Sequence, residues 1–164
     1  MDAGALFREH HRALLRYLVR LTGDEDQAAD ALQESFTRLL RTPARVQQPR
    51  AWLYRVATNV VREQARSRRL RLRILAAAPA RAPLADDAPG PAEDMAARER
   101  RRVVREALQR LSWKERTILL MREEGFKHRE IAAAVGTTTG SVGTMIARAL
   151  EKLAGELDLD REEA

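Results

Sequence analysis

"HREIAAAVGTTTGSVGTMIARALEKL", His128 to Leu153, is the stretch from which the fold can be read outward. Ile131, Ala132 and Val135 fall on one face of a short helix, and Gly136 stands where the chain must turn, a position at which positive φ costs glycine little. Val142, Met145 and Ile146 then recur at the spacing of a second helix crossing the first, with Ala132 small enough to permit a close approach. The pattern is that of a helix-turn-helix, although a plain helical hairpin satisfies the same apolar spacing. The second helix would be the one that reads DNA, and Arg148, Glu151 and Lys152 are its only charges after the turn. If DNA is bound here, most of the affinity must be supplied elsewhere in the chain.

Upstream of this stretch the apolar residues keep helical spacing nearly everywhere, and no run alternates as a strand would, so the chain is expected to be all-α. A first helix from about Ala3 to Leu21 presents Leu6, Phe7, Leu14, Leu18 and Leu21, and Gly23 ends it. Asp24, Glu25 and Asp26 open a second helix, which would bury Ala28, Leu32, Phe36 and Leu39 or Leu40. Beyond the loop "RTPARVQQP", Pro49 starts a third helix with Trp52, Leu53, Val56, Val60 and Val61 on its inner face. Such a stripe suits a buried core better than a wedge between bases. The same helix turns strongly basic from Arg62 to Arg73.

The segment from Ala76 to Ala92, "AAAPARAPLADDAPGPA", holds too few large apolar residues to bury a core. A basic helix from about Glu93 to Leu111 follows, and Ser112-Trp113-Lys114-Glu115 has the form of a capping box opening the next helix, which Gly125 ends. The expected organisation is two small helical domains: residues 1–75, a flexible Pro/Ala-rich linker over 76–95, a helix-turn-helix domain over 96–157, and an acidic tail over 158–164. The last stretch, "GELDLDREEA", is expected to fray.

Composition narrows the function classes. The 164 residues carry thirty Lys plus Arg against twenty-four Asp plus Glu, a net charge of +6 that favours a polyanionic partner. With no cysteine there is neither a disulfide nor a thiolate metal site, and His10, His11 and His128 are dispersed. No nucleophile–base arrangement or phosphate-binding glycine loop is present, so neither enzymatic activity nor a cofactor or metal is expected. The opening residues lack the pattern of an export signal, and no stretch is apolar enough for membrane insertion. A cytoplasmic protein is expected.

Two segments carry a resemblance. "DQAADALQESFTRLLR" (Asp26 to Arg41) and "PRAWLYRVATNVVREQARSRRL" (Pro49 to Leu70), taken with the helix-turn-helix, resemble bacterial extracytoplasmic-function sigma factors, which join a −10 domain to a −35 domain through a flexible linker. The resemblance covers about Leu6 to Arg69 and Val104 to Leu153. It implies core RNA polymerase as partner, through the clamp helices of the largest subunit and the flap, together with promoter DNA and an anti-sigma factor. Asp30, Gln33 and Glu34 match the clamp-docking face; Asn59, Arg62, Arg66, Arg68 and Arg69 match the helix laid along the melted non-template strand. Arg45, Gln47 and Gln48 lie in the loop where the family captures a flipped −10 base.

The chain departs from the family where it matters for the opening stretch. Members commonly read G-T-V-K-S-R where this chain has Gly140, Ser141, Val142, Gly143, Thr144 and Met145, so two cations are missing. Thr138, Thr139, Ser141, Thr144 and Arg148 remain to contact the −35 element: hydroxyls, amides at a helix N-terminus, and one arginine able to pair a guanine. The alternatives are a free-standing helix-turn-helix regulator, which would bind duplex DNA alone as a dimer, and a protein-interaction module whose basic helices bind an acidic partner.

Overall fold

A computed structural model of the chain describes residues 2–42, 46–75 and 94–162. Among them the elements are seven helices and no strand: α1 (Ala3–Thr22), α2 (Glu25–Arg41), α3 (Pro49–Leu75), α4 (Met95–Arg110), α5 (Trp113–Glu123), α6 (His128–Val135) and α7 (Thr139–Glu162). They fall into two compact units, α1–α3 and α4–α7.

In the first unit each helix begins and ends where its residues dictate. The Asp2 carboxylate accepts from the amides of Gly4 and Ala5 at the start of α1, and that of Asp24 accepts from Gln27 at the start of α2. The bond from the Gln27 amide is the main reason the Asp24 carboxyl titrates below its ordinary value. Gly23, at φ 72°, closes α1 with its amide on the Val19 carbonyl, a conformation that a Cβ would oppose. Pro49 occupies the first turn of α3, where its missing N–H costs nothing.

Leu14, Tyr17, Leu18 and Leu21 of α1 meet Ala28, Ala31, Phe36 and Leu39 of α2 and Leu53, Tyr54, Ala57, Val60 and Val61 of α3. Tyr17 and Tyr54 place their rings 4.8 Å apart, and the buried Tyr17 hydroxyl bonds the Thr58 hydroxyl at 2.7 Å, so the core's polar tip is satisfied. Some details differ from the sequence expectation, and one that it left open, Leu39 or Leu40, is decided. Phe7 is 43% exposed, held at the surface between His11, on which it stacks, and the edge of Phe36. Trp52 and Val56 are half-buried rather than central, and Leu39 is buried while Leu40 is 71% exposed.

The second unit is built around α7, which packs on α4, α5 and α6. Ser112 and Glu115 form the expected capping box, and the Lys152 ammonium donates to Glu115 at 3.1 Å, tying α5 to α7. Burial works to raise the Glu115 carboxyl, but its bonds to Ser112 and Lys152 outweigh it and hold the group below its ordinary value. Arg116 is half-buried in this unit. Its guanidinium donates to the carbonyls of Leu108, Gln109 and Leu111 and to the Gln109 side chain, at 2.7–3.0 Å, so it closes the carbonyl end of α4. Burial pushes Arg116 down to about 10, and it stays charged at neutral pH.

The stretch expected to fray instead continues α7 to Glu162. Its Glu, Leu and Asp residues offer no breaker after Gly155, and Glu156 reaches Arg110 at 3.6 Å. The expected 76–95 linker lies outside the described residues as far as residue 93; its last two residues, Asp94 and Met95, are the cap and first residue of α4.

Candidate functional site

Three surfaces collect the residues that the sequence singled out. The first is on α3. Arg55, Asn59, Arg62, Arg66, Arg69 and Arg73 succeed one another at alternating steps of four and three, which keeps them on one face of a helix. That face is turned away from Leu53, Ala57, Val60 and Val61, which α3 buries. Arg55, Arg66, Arg69 and Arg73 are exposed, and Asn59 and Arg62 are half-buried at the shoulder of the stripe. Arg55 and Arg73 escaped the sequence reading, although the spacing that identified their neighbours extends to both.

Arg68 does not belong to this stripe. It projects from the opposite side of α3, where its charge helps hold the Asp24 carboxyl down. Its place two residues after Arg66 makes that unavoidable, since residues two apart never share a helix face.

The second surface lies between α2 and α3. Asp30 and Gln33 are exposed and Glu34 half-buried along the rim of a shallow groove that also includes Arg38, Glu63 and Gln64. Glu34 is not a bare carboxylate: Arg38 donates through Nε to Glu34 at 2.7 Å and through Nη2 to Glu63 of α3 at 3.0 Å. These bonds raise the Arg38 guanidinium above its ordinary range. Glu63 stands one turn from both Asn59 and Arg66, so this ion-pair chain separates the acidic rim from the basic stripe. Gln47 and Gln48 are exposed in the bend before α3, where the Gln48 carbonyl accepts from Trp52; Arg45 lies outside the described residues.

The third surface is the helix-turn-helix. Gly136 closes α6 at φ 69°, with its amide on the Ala132 carbonyl, and Val142, Ile146 and Ala149 bury the inner face of α7. Ser141, Thr144 and Arg148 fall on the opposite face, Thr144 and Arg148 exposed. Thr138 and Ser141 bond hydroxyl to hydroxyl at 2.7 Å across the first turn, with Thr139 exposed between them. Glu151 is exposed on the same outward face, one turn beyond Arg148. The outward face of α7 therefore offers hydroxyls with one cation, bounded by a carboxylate.

Among the described residues no cluster of His, Asp and Glu could hold a metal ion, and no helix is long and apolar enough to cross a membrane.

A strongly basic helix face and a helix-turn-helix in separate units agree with the comparisons. Residues 6–71 match the family model for Sigma-70 region 2, and residues 101–153 match that for Sigma-70, region 4. The chain is similar to the ECF RNA polymerase sigma factor SigL of Mycobacterium tuberculosis, at 32% identity over 96% of this chain and 91% of SigL. It belongs to the extracytoplasmic-function family of RNA polymerase sigma factors. It is also similar to the RNA polymerase sigma factor NccH of Alcaligenes xylosoxydans xylosoxydans, at 30% identity over 92% of this chain and 83% of NccH. In fold it matches the sigma factor RpoE of Bartonella quintana, solved in complex with the anti-sigma factor NepR, with a TM-score of 0.77 and 21% identity over 97% and 98% of the two chains. Sigma factors are transcription initiation factors.

Proposed function

We propose that this sigma factor directs core RNA polymerase to promoters and promotes melting of the −10 region, with its charge-driven and contact-driven DNA surfaces kept on different units. The observation that carries the reading is the α3 stripe: five arginines and one asparagine in register along a helix rooted in a packed core. Arg62, Arg66 and Arg69, with Arg55 and Arg73, pair phosphates of the melted non-template strand, while the Asn59 amide meets a base edge. Gln47 and Gln48, with Arg45, reach the base flipped from the −10 element. Asp30, Gln33 and Glu34 dock on the clamp helices of the largest polymerase subunit, with Arg38 holding the Glu34 carboxylate in place.

Thr138, Thr139, Ser141, Thr144 and Arg148 meet the −35 element, and the α4–α7 unit contacts the polymerase flap. Residues 76–93 serve as the tether between a −10 domain and a −35 domain. The protein works in the cytoplasm, and an anti-sigma factor restrains it, as NepR is found bound to the Bartonella relative.

Run-off transcription with core polymerase, paired with a gel shift by the protein alone, tests the reading. Promoter-specific transcripts and weak duplex binding are expected. Tight, sequence-specific duplex binding by the isolated protein with no stimulation of core enzyme would instead identify a free-standing regulator.

A further inference from the structure

The outward face of α1 carries a second row of cations. Arg8, Arg12, Arg16 and Arg20 recur at every fourth position, so they form one ridge along the helix, stepping about 6 Å at a time. The ridge lies opposite Leu14, Tyr17, Leu18 and Leu21, the residues that α1 buries. Arg8, Arg12 and Arg16 are exposed, and no carboxylate among the described residues pairs with any of the three. The one glutamate of α1, Glu9, approaches His10 at 3.8 Å instead. Three successive like-charged pairs at this spacing oppose helix formation, so the helix forms despite the ridge rather than because of it.

We propose that the Arg8–Arg12–Arg16 ridge is a sequence-independent DNA contact, a second backbone track on the α1–α3 unit distinct from the α3 stripe. The inference rests on the sigma-factor reading for its occupant, promoter DNA held by polymerase. A protein partner normally needs an apolar centre surrounded by polar residues. This ridge has none: the exposed large apolar residue of α1 is Phe7, which stands toward α2 against Phe36, away from the arginines. A regular row of guanidinium groups with no apolar anchor, and with Glu9 as the one acid beside it, complements a regular row of phosphates. The ridge adds affinity without reading bases.

The test uses the full chain with Arg8→Gln, Arg12→Gln and Arg16→Gln combined. Binding to a mixed-sequence oligonucleotide is followed by fluorescence anisotropy from low to moderate salt, single-stranded and duplex, and core-polymerase affinity is measured without DNA. The slope of log affinity against log salt is expected to shrink by about 2 on a single strand or about 3 on a duplex, equally for scrambled sequences. Core affinity stays unchanged, and the melting temperature holds or rises as the repulsion is relieved. Unchanged slopes on both DNA forms overturn the proposal; unchanged slopes with reduced core affinity overturn it in favour of an acidic polymerase surface. If the wild-type chain fails to initiate transcription with core enzyme, the sigma-factor reading fails by itself, while the oligonucleotide slopes still judge the ridge.

Discussion

In the function proposed above, the outward faces of α3 and α7 answer the same problem, holding promoter DNA, with opposite chemistry. On α3 five arginines stand in line with one asparagine; on α7 the equivalent face offers Ser141, Thr144, one arginine and then Glu151. A phosphate-pairing row gains its free energy from displaced counterions and weakens steeply with salt, whereas hydroxyls and a single guanidinium depend on geometry and weaken little. The difference implies that affinity is concentrated in the α1–α3 unit, and that α7 positions the complex while discriminating at few base pairs.

Three substitutions sharpen or break that contrast, beginning with the scaffold beneath α7. Arg116→Met removes the donor to three carbonyls and a side-chain amide in a part-buried setting, and should destabilise the α4–α7 unit by about 2–4 kcal/mol. Differential scanning calorimetry should show a lowered transition for that unit and an unshifted one for α1–α3; a single shifted transition would mean that the units unfold together.

Arg148→Ala should cost about 1–3 kcal/mol at one base pair of the −35 element, seen as a flattened preference at that position in a randomised promoter library. A uniform loss across all sequences would make Arg148 a phosphate contact. Smaller still is Gly143→Lys, which restores a cation at a position where the family has one. A Cβ at Gly143 would meet only the His128 ring, at 3.8 Å, an ordinary contact. Helix stability should rise by up to about 1 kcal/mol, and the duplex salt slope by about 0.9. An unaltered slope would place residue 143 away from DNA.

The elements that the sequence disclosed are those fixed by local chemistry. Gly23, Asp24, Pro49, Ser112, Glu115 and Gly136 each satisfy or end a helix terminus, and each stands at the boundary it implied. Periodicity also located most of the core; it missed where neighbours decide between adjacent residues, as with Leu39 and Leu40 or Trp52 and Leu53, and at the margins, as with Phe7 and Val56. Of the site, the α3 stripe was legible because a straight helix turns spacing into a face; Arg68 was grouped with it by the resemblance, which matches the whole helix and not one face of it.

The Glu34–Arg38–Glu63 chain could not be read in advance, because it joins residues of α2 to one on α3 that no local pattern connects. Arg116 is similar: four acceptors converge on it only after α4 and α5 have packed.

The most direct measurement is open-complex formation with core polymerase across a salt series, comparing Arg62→Gln, Arg66→Gln and Arg69→Gln combined with Thr144→Ala and Arg148→Ala combined. The α3 variant should lower the salt slope by about 2, which amounts to roughly 20-fold in affinity between 50 and 200 mM salt, and should weaken every promoter alike. The α7 variant should change the slope by less than about 1 and alter −35 preference instead. If the α7 variant lowers the slope as much as the α3 variant, or the α3 variant shifts sequence preference at constant slope, the division between a charged strand track and a neutral reading helix is contradicted.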